Sequence, residues 1–589
     1  MKSFFKYLLA TILGLFIGSF LLFIIFMGII GGIVSSSNKT VDVKENSVLY
    51  INLNKEIVDR ASNNPLEGFN FTSFKPNTSL GLNEILKAIE TAKDDPKIKG
   101  IYMEIDVVTA GAATVDEIRN ALFEFKESGK FIISYSDVYS QKAYFLSTAA
   151  NKVYLNPEGI VNWTGLRAEI MYYKNILQKL GIEPQIIRHG KFKSAVEPFM
   201  LEKMSPENRE QTKTYMGSIW NHWVEGVSKA RNISTGELNR FADNMLIRNG
   251  KTSYEYKLVD SLIYKDQVLD IMKKRLGISD KKDISSVNID DYAKIPTPLK
   301  GKTLSKDKIA VIYASGDIVM GNSTDGEIGS EGIAKLIREA RRDSTIKAIV
   351  LRVNSPGGDA LASEVIWREM VLAKKIKPLI VSMGDVAASG GYYISAPADT
   401  ILANPTTITG SIGVFGMYFN IQEGMNKKLG INVETVTTNK HSDFGSMYRS
   451  LTAEEREVAQ LGVEDIYQSF IGHVAEGRKI AVSRVDEIGQ GRVWSGANAI
   501  DIKLIDKFGG LKDAIKIAAG KAKLVNYRIT ELPKQKEPFQ QLIEDFTGKT
   551  KISLMKDELG IAYSHYHNLM NLLSNQGIQA RIPYNIEVY

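Results

Sequence analysis

Apolar and polar residues alternate along most of the chain with two periods, one typical of β-strands and one of α-helices. Three short, mainly apolar runs predict strands: VLYINL (48–53), IKGIYMEID (98–106) and FIISYSD (131–137). Between the first two, LNEILKAIETAKDD (82–95) has its apolar residues at helical spacing. Because strands that alternate with helices form parallel βα units, we expect an α/β fold.

The same order of elements restarts after a polar segment at 277–307, which we interpret as an inter-domain linker. Beyond it, DSTIKAIVLRVN (343–354) matches DPKIKGIYMEID (95–106). DVAASGGYYISAPADTILANPTTITGSIG (385–413) likewise aligns without a gap on DVYSQKAYFLSTAANKVYLNPEGIVNWTG (137–165). These matches predict a tandem duplication of one α/β unit.

The predicted organisation has five parts. They are an N-terminal membrane anchor (1–40), an N-terminal repeat (46–276), the linker (277–307), a C-terminal repeat (308–525) and a C-terminal tail of unknown role (526–589). The tail matches nothing in the other half of the chain. Its closing sequence, RIPYNIEVY, could be a strand or could occupy a groove.

The anchor is predicted from a run without any charged residue at positions 7–34. Spanning a bilayer takes about 20 apolar residues, whereas the core of a cleaved signal peptide has only ~7–15. The length of the run therefore predicts one transmembrane helix that is not cleaved. Lys2 and Lys6 precede it and favour a cytoplasmic N-terminus with the bulk of the chain outside, an orientation that Lys39 and Lys44 weaken.

Composition excludes several functional classes. The net charge of +7 is spread over 74 basic and 67 acidic residues, which is too dilute to predict nucleic-acid binding. The chain has no cysteine, so disulfides, thiolate catalysis and zinc–thiolate sites are excluded. The absence of cysteine also suits an exported bacterial protein. We expect neither a cofactor nor a metal ion.

One serine differs in its surroundings from the matching position of the other repeat. Ser389 lies between small residues in GDVAASGGYY (384–393), where a predicted strand ends and a predicted helix begins. Opposite Ser389 and Gly390, the first repeat has Gln141 and Lys142. At such a junction the free N–H groups of a helix N-terminus can stabilise a developing oxyanion.

A glycine-rich loop lies at the end of a neighbouring predicted strand. NSPGGD (354–359) has no Pro-Gly-Gly counterpart in DVVTAG (106–111) of the first repeat. The carboxyl ends of parallel strands are where α/β proteins build their sites, so Gly357, Gly358 and Gly390 are candidate oxyanion-hole residues. Close packing of a helix on a strand would also explain small residues. Their absence from the first repeat favours a functional site.

A serine hydroxyl is a weak nucleophile and needs a base nearby. A Ser-His-Asp triad would use His441 or His189. A lysine could serve instead if burial lowers its pKa, so that the neutral amine is present. The lysine candidate is Lys193, in RHGKFKSAVEPF (188–199).

The alignment of the repeats leaves a second lysine open. LGIE in the first repeat matches LGIN in the second, and this register places Lys193 opposite Ser442. Under the same register Lys191 falls opposite Lys440, and a single gap would change the pairing. The residues alone therefore do not decide between Lys193 and Lys440.

Four motifs together resemble the signal peptide peptidase A family, in its long tandem-repeat form that is also called protease IV. They are NSPGGD (354–359), MGDVAASGGYYIS (383–395), TGSIGVFG (409–416) and GKFKSAVEPF (190–199). The resemblance implies a Clp/crotonase-like fold for each repeat. It also implies a Ser-Lys dyad divided between the repeats, in which Ser389 is the nucleophile and Lys193 the general base.

The resemblance further implies a membrane-bound serine endopeptidase that degrades cleaved signal peptides. Such an enzyme would form a homo-oligomer, expected to be a tetramer, in the bacterial inner membrane with its catalytic part in the periplasm. Two other functions stay open at this point. One is a crotonase-type acyl-CoA enzyme, and the other is a non-catalytic oligomeric membrane scaffold.

Overall fold

The structure is a computed structural model of the 589-residue chain. It describes residues 2–37, 42–63, 69–70, 75–76, 79–295, 305–323, 326–535 and 577–582.

The first half contains eleven helices and eleven strands among the residues described. The helices are α1 Lys2–Ser37, α2 Leu82–Asp94, α3 Ala112–Lys126, α4 Gln141–Ser147, α5 Lys174–Leu180, α6 Glu197–Met200, α7 Pro206–Arg231, α8 Thr235–Asp243, α9 Gly250–Glu255, α10 Lys265–Leu276 and α11 Ile289–Tyr292. The strands are β1 Ser47–Ile51, β2 Ile57–Val58, β3 Phe69–Asn70, β4 Lys75–Pro76, β5 Leu80–Gly81, β6 Ile98–Glu104, β7 Phe131–Tyr139, β8 Lys152–Val161, β9 Glu183–Arg188, β10 Ser261–Leu262 and β11 Ser286–Asn288.

The second half repeats much of this order. Its helices are α12 Ser330–Arg342, α13 Ala360–Lys374, α14 Gly390–Ser395, α15 Ala453–Arg478, α16 Val482–Ile488, α17 Gly496–Asp501 and α18 Leu511–Lys521. Its strands are β12 Lys308–Ser315, β13 Asp317–Val319, β14 Glu327–Gly329, β15 Ile346–Ser355, β16 Gly357–Asp359, β17 Leu379–Ala388, β18 Thr400–Ala403, β19 Ile408–Gly410, β20 Phe415–Asn420, β21 Val493–Ser495, β22 Lys507–Phe508, β23 Arg528–Leu532 and β24 Gly577–Arg581.

Helix α1 covers the run for which the sequence predicts a membrane anchor. Across the described parts of the chain, no helix is both long enough and apolar enough to cross a membrane. The transmembrane segment therefore stays a prediction from the sequence.

Two mainly parallel sheets form the cores of the two repeats. The first has the strand order β10-β8-β7-β6-β1-β11, and all of its pairs are parallel. The second has the order β21-β19-β17-β15-β12-β23, with β18 paired to β17 and β22 paired to β18. The central strands β6-β1 and β15-β12 occupy equivalent places. Helices cover these strands on both faces, which explains their near-continuous apolar sequences.

Each repeat is closed by a short strand that the apolar pattern did not predict. Within the expected linker, β11 pairs with β1, and within the expected tail, β23 pairs with β12. Strand β11 has three residues and buries only Val287. Such a strand offers too few apolar positions to show a period of two. Each repeat therefore extends one strand beyond the bounds expected from its sequence.

A third sheet combines both halves of the chain. Its order is β14-β13-β16-β24-β20-β9, in which β9 belongs to the first half and the other strands to the second. Strands β9 and β20 are antiparallel, and six residues of each are paired. This sheet brings a segment of the N-terminal half against the end of the C-terminal repeat where Ser389 lies.

Buried polar contacts hold the two halves in register. Arg352 of β15 is fully buried, and its guanidinium contacts Asp59 at 2.7 Å and Glu117 at 2.8 Å, both from the first half. Asp385 of β17 accepts hydrogen bonds from the backbone N–H and the hydroxyl of Thr114, at 2.9 and 2.6 Å. Breaking a buried pair leaves an uncompensated charge, so these contacts strongly favour one arrangement of the halves.

Candidate active site

Ser389 lies at the turn between β17 and α14, as the sequence predicts. Its φ is +55° and its ψ is −114°, a conformation that costs energy for a residue with a side chain. The turn is fixed because the Ser389 N–H donates to the Gly410 carbonyl at 2.8 Å, while the Ser389 carbonyl accepts from Tyr393 N–H at 2.8 Å. The surrounding fold therefore holds the hydroxyl in one place.

Lys193 reaches this turn from the other half of the chain. After β9 pairs with β20, the His189 N–H donates to the Val414 carbonyl at 3.2 Å. The Phe192 N–H then donates to the Gln490 carbonyl at 2.9 Å. These bonds tie residues 189–192 to two loops of the C-terminal repeat, so that the next side chain, Lys193, points into its interior.

The amine of Lys193 lies 2.7 Å from Ser389 Oγ. It also lies 3.2 Å from both the carbonyl oxygen and the hydroxyl of Ser411. Burial lowers the pKa of Lys193 well below its ordinary value of 10.5, because a charged amine would lose its hydration there. A neutral amine has two N–H groups, which can donate to Ser411, and one lone pair, which is left for the hydroxyl proton of Ser389.

Two glycines of the C-terminal repeat make room for the lysine stem. A side chain at Gly491 would begin 2.6 Å from Lys193 Cα, and one at Gly413 would begin 3.3 Å from Lys193 Cδ. Any side chain at position 491 would therefore displace the lysine. The two glycines show that the second repeat is shaped to receive a residue from the first.

The three candidate oxyanion-hole glycines lie together beside the serine. Gly390 is the first residue of α14, and its nitrogen would lie 2.8 Å from a Cβ placed on Gly357. Gly357 and Gly358 have φ values of +103° and +158°, which few other residues adopt. The N–H of Gly357 donates to Ser355 Oγ at 3.2 Å. Their role as donors to an oxyanion stays a prediction.

The other candidate bases lie elsewhere. The His189 ring is 2.6 Å from Glu464, and the His441 ring is 3.1 Å from Glu455. Lys440 is exposed and forms an ion pair with Glu454 on the surface. Ser389 Oγ contacts Lys193 and, at 3.4 Å, the Gly413 carbonyl. The geometry therefore favours Lys193 over Lys440 and over a histidine triad.

The corresponding position of the first repeat is filled by side chains. Gln141 Oε1 accepts from the N–H groups of Thr164 and Gly165, each at 2.8 Å, and Gln141 Nε2 donates to the Gly165 carbonyl at 2.8 Å. Lys142 Nζ donates to the Ala110 carbonyl at 2.6 Å. The glutamine thus uses backbone groups that would otherwise line an open site.

Ser411 is the residue of this site that the sequence reasoning missed. It has a positive φ of 48° and is fully buried. Its counterpart in the first repeat is Trp163, by the same register that pairs Ser389 with Gln141. A small polar residue opposite a tryptophan is the same kind of difference between repeats that identified Ser389. This signal was available in the sequence.

Comparison with known proteins identifies the family of this chain. The model of peptidase family S49 matches residues 124–279 and 372–525, one stretch in each repeat, and a Clp protease model matches residues 300–407. The Protease 4 of Salmonella typhi is 36% identical over 90% of this chain and 88% of its own length. The chain belongs to peptidase family S49.

Two further relatives show how far the likeness extends. The chloroplastic serine protease SPPA of Arabidopsis thaliana is 34% identical over 92% of this chain and 78% of its own length. A putative signal peptide peptidase SppA of Enterococcus faecium is 35% identical over 33% of this chain and 57% of its own length. This S49 protein is therefore a serine protease of the long tandem-repeat form, and the predicted duplication of a Clp-like unit is confirmed.

The buried amine makes a prediction about the stability of this S49 peptidase. In the unfolded chain this lysine has its ordinary pKa of about 10.4. Below that pH the unfolded state binds a proton that the native state does not. The stability of the native state therefore falls as the pH falls from about 10.4. Lys193→Met removes this loss of stability because methionine does not titrate. We expect the variant to have a melting temperature at least about 2 °C higher than the wild type at pH 7.

Differential scanning fluorimetry between pH 6 and pH 10 measures this effect. The difference between variant and wild type should shrink as the pH rises. Lys440→Met, at an exposed position, is the matched control and should show no such trend. A Lys193→Met variant that melts below the wild type at every pH would contradict a neutral, desolvated amine.

Proposed function

We propose that this S49 peptidase is a membrane-anchored endopeptidase that uses a Ser-Lys dyad, with Ser389 as nucleophile and Lys193 as general base. The observation that supports it most is the 2.7 Å contact between Lys193 Nζ and Ser389 Oγ in a fully buried setting. A neutral lysine next to a serine hydroxyl is a recognised way to activate the nucleophile. Ser411 acts as a positioning residue because it binds the N–H groups of the amine.

The proposed reaction has two stages. Ser389 Oγ attacks a peptide carbonyl while Lys193 takes the hydroxyl proton, and the same lysine then protonates the leaving amine. The amides near Gly357 and Gly390 stabilise the negative oxygen of the tetrahedral intermediate. Water, activated by the neutral lysine, finally hydrolyses the acyl-enzyme.

We further propose that the substrates are signal peptides left in or near the membrane after cleavage. The Enterococcus faecium relative is named as a putative signal peptide peptidase, which supports this substrate class. The predicted membrane anchor would place the site near such peptides. The acyl-CoA alternative is disfavoured because a site outside the cytoplasm would not meet CoA, and the inert scaffold is disfavoured by the Lys193–Ser389 geometry.

The dyad predicts a specific pattern of activity among three variants. Ser389→Ala and Lys193→Met should each reduce hydrolysis of a fluorogenic apolar peptide by about 10³-fold or more, since both remove the activated nucleophile. Lys440→Met should keep wild-type activity because this amine contacts Glu454 on the surface. Initial rates of the full chain in detergent measure all three.

Each failure of this pattern has a distinct meaning. Full activity of Lys193→Met together with loss in Lys440→Met would place the base in the C-terminal half. Unchanged activity of Ser389→Ala would exclude the proposed nucleophile altogether. Saturable binding of CoA, without peptide hydrolysis by any variant, would favour the acyl-CoA alternative.

We propose that α1 anchors the chain in the bacterial inner membrane, with both repeats in the periplasm. Several of its described large apolar side chains are more than half exposed, including Leu9, Leu15 and Phe16, so the rest of the protein does not cover them. Lys2 and Lys6 favour a cytoplasmic N-terminus.

Single introduced cysteines test this orientation, because the chain has none of its own. Lys251→Cys lies at an exposed position of the first repeat and should react with a membrane-impermeant maleimide in intact cells. Ser3→Cys, before the apolar run, should react only after lysis. Labelling of Ser3→Cys but not Lys251→Cys in intact cells would reverse the proposed orientation.

We also propose that the chain forms a homotetramer. Strand pairing of the kind that joins the two halves of one chain would also join neighbouring copies. Within one chain, β9 of the first repeat pairs with β20 of the second. In the second repeat the counterpart of β9 is segment 432–437, which is exposed and forms no strand in the described structure. In the first repeat the counterpart of β20 is segment 167–172, which also forms no strand there.

These two segments complement one another between copies. Val433 and Val436 are 43% and 94% exposed, and Met171 on the opposite segment is 48% exposed. Each chain therefore has one surface of each kind, one in each repeat. Pairing them between copies is a heterologous, head-to-tail contact, which closes into a ring if the rotation allows. In this arrangement every Ser-Lys dyad forms within one chain.

Light scattering of the full chain in mild detergent tests the proposed ring. The wild type should have four times the mass of one chain after subtraction of the detergent, and Val436→Lys should shift it to smaller species. Val525→Lys, a change at another exposed valine, is the matched control and should leave the tetramer intact. A wild type that is monomeric, or a Val436→Lys variant that remains tetrameric, would refute this interface.

A further inference from the structure

His189 lies four residues before the proposed general base, and the mechanism gives it no role. Its side chain is 20% exposed, and its Nδ1 lies 2.6 Å from Glu464 Oε2 of α15. The imidazole also stacks on Tyr467 of the same helix, with the ring centroids 3.7 Å apart. These two contacts attach the segment that carries the lysine to a helix of the second half.

The tyrosine beside the imidazole is in turn bonded to the loop next to the lysine. Tyr467 donates its hydroxyl proton to Asp486 at 2.7 Å and accepts the N–H of Gln490 at 3.2 Å. Burial, together with Asp486, raises the pKa of Tyr467, so the hydroxyl keeps this proton. The Gln490 carbonyl accepts the N–H of Phe192 at 2.9 Å. Because Phe192 directly precedes the lysine, this series of contacts returns to the chain one residue before the amine.

The same loop forms one wall of the lysine site. A Cβ placed on Gly491 would lie 2.6 Å from Lys193 Cα, and one placed on Gly190 would lie 2.5 Å from the Gln490 oxygen. With the loop in this place, Lys193 is fully buried. A displaced loop would admit water to the amine and restore part of its hydration. The position of the loop therefore decides how completely the amine is dehydrated.

We propose that His189 is a positioning residue for Lys193. Its contacts with Glu464 and Tyr467, which we call the histidine clamp, hold the loop at 489–491 against the lysine and keep the amine dehydrated. This inference rests on the proposed Ser-Lys mechanism. It adds a residue that touches neither the substrate nor the reacting atoms and acts through the place of the base.

The histidine clamp occurs in the repeat that supplies the lysine. Under the register that places Lys193 opposite Ser442, His189 falls opposite Thr438. Both Ser442 and Thr438 are exposed, and the hydroxyl of Thr438 donates to the neighbouring Asn439 at 3.0 Å. The clamp thus accompanies the catalytic lysine and is not a general feature of the repeated unit.

The two ring nitrogens of His189 indicate its charge state. Nδ1 bonds Glu464, whereas Nε2 is buried and has no hydrogen-bond partner in the described parts of the chain. A neutral ring with its proton on Nδ1 meets both conditions, because an imidazolium would bury a second N–H unpaired. The other charged side chains in contact with this cluster are Arg456 of α15, Asp486 of α16 and Arg188 of β9, and each bonds another group. The clamp therefore needs no charge on the imidazole.

Other contacts keep the segment folded when His189 is changed. Gln211 of α7 donates to the Phe192 carbonyl at 3.1 Å and to Ser194 Oγ at 2.8 Å. The pairing of β9 with β20 also remains. Variants at position 189 should therefore fold, with melting temperatures within about 3 °C of the wild type.

The pH dependence of fluorophosphonate labelling of Ser389, in the full chain in detergent, tests the clamp. His189→Ala should raise the midpoint of labelling by about one pH unit, because the amine regains hydration. Below the midpoint the neutral fraction of the amine falls about tenfold for each pH unit, so the rate at pH 7 should be about tenfold lower. The midpoint does not depend on how much of the protein is folded. A merely structural defect would leave it unchanged.

Two conservative variants separate the two contacts of the clamp. His189→Asn keeps a donor for Glu464 but loses the stacking, and His189→Phe keeps the stacking but loses this bond. Each should restore part of the loss seen in His189→Ala. With a fluorogenic peptide, kcat should fall as the midpoint rises, whereas KM should stay unchanged. His222→Ala, which removes a histidine paired with Asp116 at 2.8 Å, is the matched control and should keep the wild-type midpoint.

The outcomes separate this inference from the proposed function. A wild-type midpoint in His189→Ala would refute the inference and leave the Ser-Lys mechanism in place, whether or not the rate falls. An equal rise of the midpoint in His222→Ala would also refute it, since the effect would not be specific to the clamp. Labelling of Ser389 at the wild-type rate in Lys193→Met would overturn the mechanism and, with it, the inference.

Discussion

The proposed mechanism depends on keeping one lysine amine neutral and next to one serine hydroxyl. Lys193 and Ser389 come from different halves of the chain, and their side-chain atoms lie 2.7 Å apart in the interior. A water-exposed amine would keep its proton at neutral pH and could not accept another, so the burial is a chemical requirement. Burial in turn requires the two halves to meet in one fixed register. The buried contacts of Arg352 with Asp59 and Glu117 help to impose that register, as does the pairing of β9 with β20.

The duplication explains why the site is divided. One repeat keeps the strained serine turn and the glycines beside it, whereas the other has closed the same place with Gln141, whose amide occupies the local backbone groups. The closed repeat supplies instead the strand β9 and the lysine that follows it. Because the serine turn and the lysine come from different repeats, only one repeat needs an open site.

The sequence predicts the strongly periodic elements and the serine, but not the features that depend on distant pairing. The apolar runs of β6 and β15 and the repeat alignment follow directly from local pattern. The choice of Lys193 over Lys440 could not be made from residues alone, because only the crossing of β9 onto β20 buries one and leaves the other exposed. Strands β11 and β23 were not predictable for a similar reason. Their backbones pair with strands far away in sequence, and their few side chains show no period that would reveal it.

The central claim is that a buried, neutral Lys193 activates Ser389. The most direct measurement is the rate at which a fluorophosphonate probe labels the full chain as a function of pH, with the modified residue identified by peptide mass spectrometry. The account predicts one adduct, on Ser389, whose rate rises with pH through a midpoint well below 10.5 because the amine must lose its proton first. The adduct should be absent in Lys193→Met. An adduct on another residue, or labelling of Ser389 at an undiminished rate without Lys193, would contradict it.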